Sequence, residues 1–187
     1  MGSTIIEEVR RRFNDATGSI RVIAFLSATC GQCRYGQGVV RALFAEFPDE
    51  KLAGFIIWVP MLPADSAEAA KLEQDTITDP RLQCWFDADQ VAANTWSSFI
   101  GLPTATWDVY AIYDAAVVWD EGAPPPAPRI WMHQLNSTPA TQLADRLDPV
   151  RLARDWLALI GGEVHQSAEV AVKLHAKGQA VSVRSAS

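Results

Sequence analysis

The sequence predicts an α/β fold built on a mixed sheet with a central parallel part and a C-terminal antiparallel hairpin. Strand-like and helix-like segments alternate over the first hundred residues, which is typical of parallel strands joined by helical crossovers. Residues 55–59 are all apolar, as expected for a strand that is covered on both faces. Beyond residue 108 the apolar runs follow one another closely, and this change of pattern indicates a hairpin.

The first strand lies between two helices. Apolar residues at helical spacing predict a leading helix over residues 5–13, and the apolar run at 20–26 predicts the strand. The helix that follows carries Gly36 and Gly38 in its first turns. Internal glycines weaken a helix by roughly 1 kcal/mol each relative to alanine, so these two need a structural reason.

A second strand and two further helices follow. After the strand at 55–59, Asp65 and Glu68 have the three-residue spacing of a capping box and predict the start of a short Ala-rich helix. Residues 82–86 then alternate like a strand and lead into a helix that Gly101 terminates.

The last part of the chain predicts the hairpin, a long helix and a tail. Residues 109–113 are typical of a strand, 117–119 of its antiparallel neighbour, and 130–135 of a further edge strand. An Asp-Pro pair at 148–149 predicts a helix start, and one apolar face continues that helix to Gly161. The apolar pattern then thins, so we expect a weak helix or a disordered tail.

Length and charge restrict the classes of function. At 187 residues the chain is long enough for one well-buried domain and too short to expect two. Its 16 basic and 22 acidic residues give a net charge of −6, which argues against nucleic acid or a membrane surface as a partner, because both attract clustered positive charge. Neither a basic leader nor a long apolar stretch occurs in the sequence. We therefore expect a cytoplasmic protein.

The segment Cys30-Gly31-Gln32-Cys33 carries the strongest chemical signal, because it lies where the first strand gives way to a helix. A cysteine at the start of a helix faces unsatisfied backbone N–H groups, which favour its ionised, nucleophilic form. The second cysteine lies one helical turn further on, so the pair is able to cycle between dithiol and disulfide. Metal binding and an inert structural pair are the alternatives.

Only one other cysteine, Cys84, occurs in the chain. Three cysteines are too few for a disulfide-stapled secreted scaffold, which favours a reducing compartment. Cys84 is followed by the core-like aromatic residues Trp85 and Phe86, so structural burial is its simplest interpretation. A zinc site would need the three cysteines and a histidine such as His133, and their spacings match no compact zinc pattern.

The order of elements around the cysteine pair, with Gly101-Leu102-Pro103 before the hairpin, resembles the thioredoxin superfamily over residues 19–160. The resemblance is nearest to the TlpA-like and peroxiredoxin-like branch, where an extra strand and helix precede the Gly-x-Pro turn, as residues 82–103 do here. It implies a thioredoxin-like three-layer α/β/α domain over 19–162, between an N-terminal helix at 1–18 and a C-terminal tail at 163–187.

The resemblance also implies roles for individual residues. Cys30 matches the attacking cysteine of the family and Cys33 the resolving cysteine. Pro103 matches the cis-proline that faces the cysteines and offers its backbone to a substrate, with residues 106–108 as the alternative place for it. The residues expected to bind substrate are Gly31, Gln32, Pro103 and Thr104.

The chain departs from the family pattern near the cysteines. Ala24 stands where thioredoxins have a buried acid, Thr29 replaces a tryptophan, and Gln32 replaces a proline. Asp108, at the start of an apolar strand, is the candidate replacement for the acid as proton acceptor. An ordinary turn or edge carboxylate is the alternative interpretation of Asp108.

These observations predict a thiol–disulfide oxidoreductase with a role in cell redox homeostasis. It would need no cofactor besides its own redox-active disulfide and no metal. Its expected partners are a disulfide-containing protein or small thiol as substrate and a separate electron donor. The alternative is a non-catalytic thioredoxin-like module that binds a protein partner or a thiophilic metal.

Overall fold

The computed structural model describes residues 4–102, 104–135 and 145–183 of the chain. In chain order the elements are α1 (Ile5–Asp15), β1 (Ile20–Leu26), α2 (Gly31–Glu46), β2 (Leu52–Trp58), α3 (Ala67–Gln74), β3 (Leu82–Phe86), α4 (Val91–Ile100), β4 (Val109–Tyr113), β5 (Ile130–His133), α5 (Pro149–Ile160) and α6 (Ser167–Val183). No helix within the described ranges is both long enough and apolar enough to cross a bilayer.

The five strands form one mixed sheet in the order β3-β2-β1-β4-β5. The first three are parallel, while β4 runs antiparallel to β1 and β5 antiparallel to β4. At the centre, Ala24 of β1 lies opposite Ile56 on one side and Tyr110 on the other. The predicted mixed sheet is therefore confirmed, with its parallel part and its antiparallel hairpin.

Helices cover both faces of the sheet. Because neighbouring side chains of a strand point to opposite faces, Ala24 and Leu26 join a core under α2, α3, α5 and α6, while Ile23 and Phe25 join a second core under α1 and α4. Each fully buried aliphatic or aromatic side chain in these cores contributes roughly 1.5–3 kcal/mol. The result is the three-layer α/β/α arrangement.

Most helix ends follow the predicted signals. The Asp148 side chain accepts a hydrogen bond from Val150 N at the start of α5, and Gly161 ends that helix in the left-handed conformation. The predicted start of α3 is wrong by one residue, because Ser66 is its N-cap and accepts from Ala69 N at 3.1 Å. The Asp65 carboxylate has another partner, described below.

The partner of β4 differs from the prediction, since β5 pairs with it and residues 117–119 form no strand. The reason lies at Trp119, which is buried and packs edge-on against Trp96 with 5.1 Å between ring centroids. Both backbone polar groups of Trp119 bond to the Asn14 side chain, each at 2.9 Å. They are therefore satisfied outside the sheet, and a later segment fills the place beside β4.

The C-terminal segment, expected as a weak helix or disordered tail, contains the 17-residue helix α6, which packs along α2. Leu174 is fully buried in the contact. A Cβ on Gly38 of α2 would lie 2.8 Å from Gly178 Cα of α6, so the two helices meet at a pair of glycines. The apolar face of α6 consists of small and short residues, which is why the sequence pattern looked thin.

Candidate active site

The cysteine pair begins α2. Cys30 has an extended backbone (φ −83°, ψ 121°) and is the N-cap of the helix, and its Sγ accepts a hydrogen bond from Cys33 N at 3.4 Å. The side chain thus satisfies one of the free N–H groups that every helix start presents. Because these groups carry positive partial charge, they favour a negative sulfur.

The pKa values of the two thiols are shifted in opposite directions. Hydrogen bonding from Cys33, first from its thiol and then from its backbone N–H, lowers the pKa of Cys30 to about 6 against the effect of burial. Cys33 is fully buried, and burial raises its pKa well above the ordinary value. Both residues are free thiols in the structure. At neutral pH the outer sulfur is therefore mostly a thiolate and the inner one a thiol.

Asp65 holds the loop that precedes the cysteines. Burial alone would raise its pKa, but hydrogen bonds from Leu62, Ser27 and Thr29 outweigh burial and lower it. Its two oxygens accept from five donors at 2.8–2.9 Å: Ser27 Oγ, Thr29 N, Thr29 Oγ1, Met61 N and Leu62 N. The sequence offered no signal for this role, because the acceptor lies more than thirty residues from the loop that it binds.

Asp108 lies within reach of both sulfurs. The ligand atoms of Cys30, Cys33 and Asp108 are all within 4.8 Å of one another. Asp108 lies in the bend just before β4 and is only 1% exposed, so its carboxylate is a turn residue's that is buried beside the cysteines. Burial raises its pKa to about 7, although hydrogen bonds from Tyr110 and Cys33 oppose the shift. Such a carboxyl exchanges protons near neutral pH.

Tyr110 and Gln134 complete a polar network around this carboxyl. The hydroxyl of Tyr110 donates to Asp108 Oδ1 at 2.7 Å. The Gln134 amide nitrogen faces three acceptors, Gln32 O at 2.9 Å, Asp108 Oδ1 at 3.1 Å and Tyr110 Oη at 3.1 Å, in the orientation that the surrounding hydrogen bonds favour. Tyr110 follows Asp108 by two residues on one strand face, a signal that the sequence analysis missed. Gln134 carries no comparable signal.

The absence of a side chain at Gly36 leaves the space that the Tyr110 hydroxyl occupies. A Cβ on Gly36 would lie 1.6 Å from Tyr110 Oη, so any side chain here collides with the tyrosine. The resemblance places a buried acid at Ala24, and Tyr110 is the residue directly opposite Ala24 in the sheet. The buried acid beside the cysteines, Asp108, therefore comes just before the neighbouring strand β4, which carries the tyrosine that donates to it.

Two of the four predicted substrate-binding residues lie beside a cleft of about 550 Å³ at the start of α2. Thr104 is exposed and is not among the residues that line it. Pro103 lies outside the described residues. The lining residues are Gly31, Gln32, Tyr35, Gln134, Gln179 and Ser182. The last two come from α6, which was expected to be a tail.

Three further side chains, those of Arg34, Cys84 and His133, have surroundings or partners of their own. Arg34 Nε binds Glu73 Oε1 at 2.8 Å, and Arg34 is not among the groups that shift the pKa of Cys30. Cys84 is half-buried on β3, and burial raises its pKa to about 11. His133 is buried on β5, where its Nδ1 accepts from Leu135 N at 3.1 Å.

The arrangement offers two kinds of chemistry. A thiolate next to a buried thiol and a carboxyl that titrates near neutrality is suited to disulfide exchange with proton transfer. Two sulfurs and one carboxylate oxygen are also a donor set for a thiophilic metal. Among the described residues only Cys30, Cys33 and Asp108 form such a set, so Cys84 and His133 take no part in it.

Comparison with known proteins supports the fold. No protein-family model matches the chain, and no curated protein matches it. Among solved structures, a thioredoxin-like superfamily protein is 15% identical with a TM-score of 0.54, and the match covers 81% of this chain and 86% of that one. An uncharacterized conserved protein from Geobacillus kaustophilus is 19% identical with a TM-score of 0.51, covering 80% and 72%. A hypothetical protein from Sinorhizobium meliloti is 14% identical with a TM-score of 0.50, covering 80% and 74%.

Proposed function

We propose that this chain, whose fold is thioredoxin-like, is a thiol–disulfide oxidoreductase that uses Cys30 and Cys33. One observation carries the proposal. The Sγ of Cys30 caps α2 and is slightly exposed, while the sulfur of Cys33 is buried behind it with the Asp108 carboxyl in reach. A structural pair needs neither the difference in accessibility nor the buried acid.

In the first step the Cys30 thiolate attacks one sulfur of a substrate disulfide. A bond forms between Cys30 and that sulfur, the substrate S–S bond breaks, and the second substrate sulfur leaves as a thiolate. The low pKa of Cys30 keeps it ionised at neutral pH. The attack consumes the negative charge of Cys30, which had opposed ionisation of both Cys33 and Asp108.

In the second step Cys33 resolves the mixed disulfide. Its proton passes to the Asp108 carboxylate, and the Cys33 thiolate attacks Cys30 Sγ and releases the remaining substrate thiolate. The two electrons lost by the cysteine pair have then reduced the substrate, and its two thiolates take up protons from solvent and from Asp108. A dithiol donor reduces the Cys30–Cys33 disulfide in the next cycle by the same exchange.

Serine variants of the three cysteines test the proposal. With a model disulfide and a dithiol donor, we expect Cys30→Ser to abolish turnover. Cys33→Ser should stop after the first step and accumulate a covalent mixed disulfide, visible by mass spectrometry. The control is Cys84→Ser, which should turn over as the unmodified protein does. Undiminished turnover by Cys30→Ser would refute the proposal.

Binding of a thiophilic metal is the second candidate function, favoured by the donor set of Cys30, Cys33 and Asp108 within 4.8 Å. Two sulfurs and one oxygen fit a zinc-like ion with one open position. Metal analysis of protein purified under reducing conditions should find one ion per chain, lost in Cys33→Ser. Tyr110→Phe removes the hydrogen bond to the carboxylate ligand and should weaken affinity by about 10–100-fold. Metal-free protein that also fails to bind added zinc removes this candidate.

For partners and compartment, we infer a disulfide-bearing protein or small thiol as substrate, a dithiol donor, and a reducing compartment such as the cytoplasm. The acidic net charge and the low number of cysteines support these inferences. Rapid alkylation of thiols in intact cells, followed by mass measurement, should find Cys30 and Cys33 mostly reduced. A fully oxidised pair would contradict the inference of a reducing compartment.

A further inference from the structure

The cleft beside the cysteine pair has walls from three separate parts of the chain. The first turn of α2 contributes Gly31, Gln32 and Tyr35, and the residue after β5 contributes Gln134. The far wall is α6, through Gln179 and Ser182. The helix at the end of the described chain thus borders the site where a substrate disulfide would meet Cys30.

The α6 wall is held in place by contacts along α2. Lys173 Nζ lies 2.7 Å from Glu46 Oε2. Two residues further along α6, His175 Nδ1 forms a hydrogen bond of 2.8 Å with Tyr35 Oη. The glycine contact at Gly178 comes directly before Gln179 and brings the two backbones together there. The end of α6 is therefore a fixed wall at the position of Gln179.

The described residues that line the cleft include no charged side chain. They present three primary amides, two hydroxyls and the backbone of Gly31. A primary amide offers two donors and an acceptor, the same groups as a peptide backbone. Ligands that carry carboxylates or phosphates are instead recognised by cationic side chains, above all arginine.

A second cavity shows that this neutrality is particular to the cleft. A larger space of about 790 Å³ is lined by other residues of α2 and α6 and by residues between 73 and 82, and the described lining of neither cavity includes Cys30 or Cys33. Its lining includes six charged side chains: Arg34, Arg41, Arg81, Lys177, Glu73 and Asp79. The same two helices therefore present a charged surface on one side and an uncharged one on the side of the thiolate.

We propose that the cleft binds an extended, uncharged peptide segment next to the disulfide cysteine of a protein substrate, with Gln179 as a specificity-determining residue. The inference rests on the proposed function, because it names the substrate class of that site. The Gln179 amide exchanges hydrogen bonds with the peptide backbone, while the amide nitrogen of Gln134 on the facing wall stays bound to Gln32 O, Asp108 and Tyr110. An acidic or basic side chain in the segment would find no countercharge among the described residues that line the cleft.

The first test measures binding without redox chemistry. The full chain with Cys30→Ser and Cys33→Ser is titrated into a fluorescent decapeptide of Gly, Ala, Ser and Gln with one central S-methylcysteine, and into a matched peptide with two flanking Glu. We expect the neutral peptide to bind more tightly. Gln179→Ala should weaken its binding about fivefold, the effect of one hydrogen bond. Val172→Ala, an exposed position on the same helix, is the control and should change nothing.

The second test uses the active protein and disulfides of the same two peptides. We expect Gln179→Ala to raise KM for the neutral peptide about fivefold with kcat unchanged, as for a residue that binds but does not react. Equal affinity for the neutral and acidic peptides, or unaltered binding by Gln179→Ala, overturns the inference. If the neutral peptide binds as expected but no disulfide is exchanged, the proposed function fails while the peptide site stands.

Discussion

Two glycines in α2, only two residues apart, belong to regions of opposite character. Gly36 borders the dithiol network, where a buried carboxyl, a buried tyrosine hydroxyl and two thiols compete for protons. Gly38 borders α6, where two helix backbones touch: a Cβ here would meet Lys177 O and Gly178 Cα. The same residue type therefore makes room for a polar group in one region and for a backbone in the other. Two close glycines of one helix therefore face different neighbours, and substituting each glycine should separate the effects of the two regions.

The largest expected effect is on the chemistry of the dithiol network. Asp108→Asn keeps the shape but removes the base, so we expect the resolving step to slow by about 10²-fold at pH 7 while attack by Cys30 continues. Rapid-quench trapping should then reveal an accumulated mixed disulfide. Asp114→Asn, just after the other end of β4, is the matched control and should resolve normally. Resolution by Asp108→Asn at an unaltered rate would remove Asp108 from the mechanism.

The next largest effect concerns Gly36. In Gly36→Ala the new Cβ would lie 1.6 Å from Tyr110 Oη, so the tyrosine must leave its place. We expect a loss of about 3 kcal/mol in the free energy of unfolding, even though alanine favours the helix by about 1 kcal/mol. The variant should also slow resolution, because Asp108 loses its hydrogen bond. Urea unfolding and trapping of the mixed disulfide measure the two effects. A stable variant with normal resolution would mean that Tyr110 does not support the site.

The dithiol network also predicts how stability depends on pH. The pKa of Asp108 rises from 3.8 to about 7 on folding, so the folded state holds the proton more tightly and stability falls as pH rises from about 4 to 7. The pKa of Cys30 falls from 9.0 to about 6, so its contribution is present above pH 9 and is lost as pH falls towards 6. The reduced protein should therefore be least stable between pH 6 and 7.

Urea unfolding from pH 4 to 9 checks this minimum. We expect the free energy of unfolding to fall by about 2 kcal/mol from pH 4 to the minimum and to rise by about 2 kcal/mol from the minimum to pH 9. Asp108→Asn should flatten the change on the acid side, and Cys30→Ser the change on the alkaline side. Stability that rises steadily from pH 4 to 7 would contradict the burial of an ionisable Asp108.

The smallest expected effect tests the α6 contact. In Gly38→Ala the new Cβ would lie 2.7 Å from Lys177 O and 2.8 Å from Gly178 Cα, so the backbone of α6 must shift away from α2. Since alanine itself favours α2, we expect a net loss of only about 1 kcal/mol in the free energy of unfolding. The pKa of Cys30, measured from the pH dependence of alkylation, should not change. If Gly38→Ala shifts that pKa as much as Gly36→Ala does, the two regions are not separate.

The sequence predicted the mixed sheet and the cysteine pair because both depend on local patterns. Apolar periodicity defines the strands, and the motif defines the start of α2. It also singled out Asp108, but neither Tyr110, which lies two residues further along the chain, nor Gln134, which reaches that carboxyl through the pairing of β4 with β5. Asp65 was interpreted as a helix cap because capping is local, whereas three of its five donors come from Ser27 and Thr29, which are distant in sequence. Helix α6 was underestimated because glycine and alanine become a packing surface only when a partner helix presents matching small residues.

The hydrogen bond that Cys30 Sγ accepts at the start of α2 has a consequence for the direction of electron flow. Contacts that stabilise the thiolate exist only in the reduced protein, because a disulfide carries no such charge. With a pKa of about 6 in place of 9.0, the reduced form is favoured by about 1.4 kcal/mol at pH 7, which raises the reduction potential by about 30 mV. Compared with an unperturbed dithiol of the same geometry, the pair releases its electrons less readily and is the stronger oxidant.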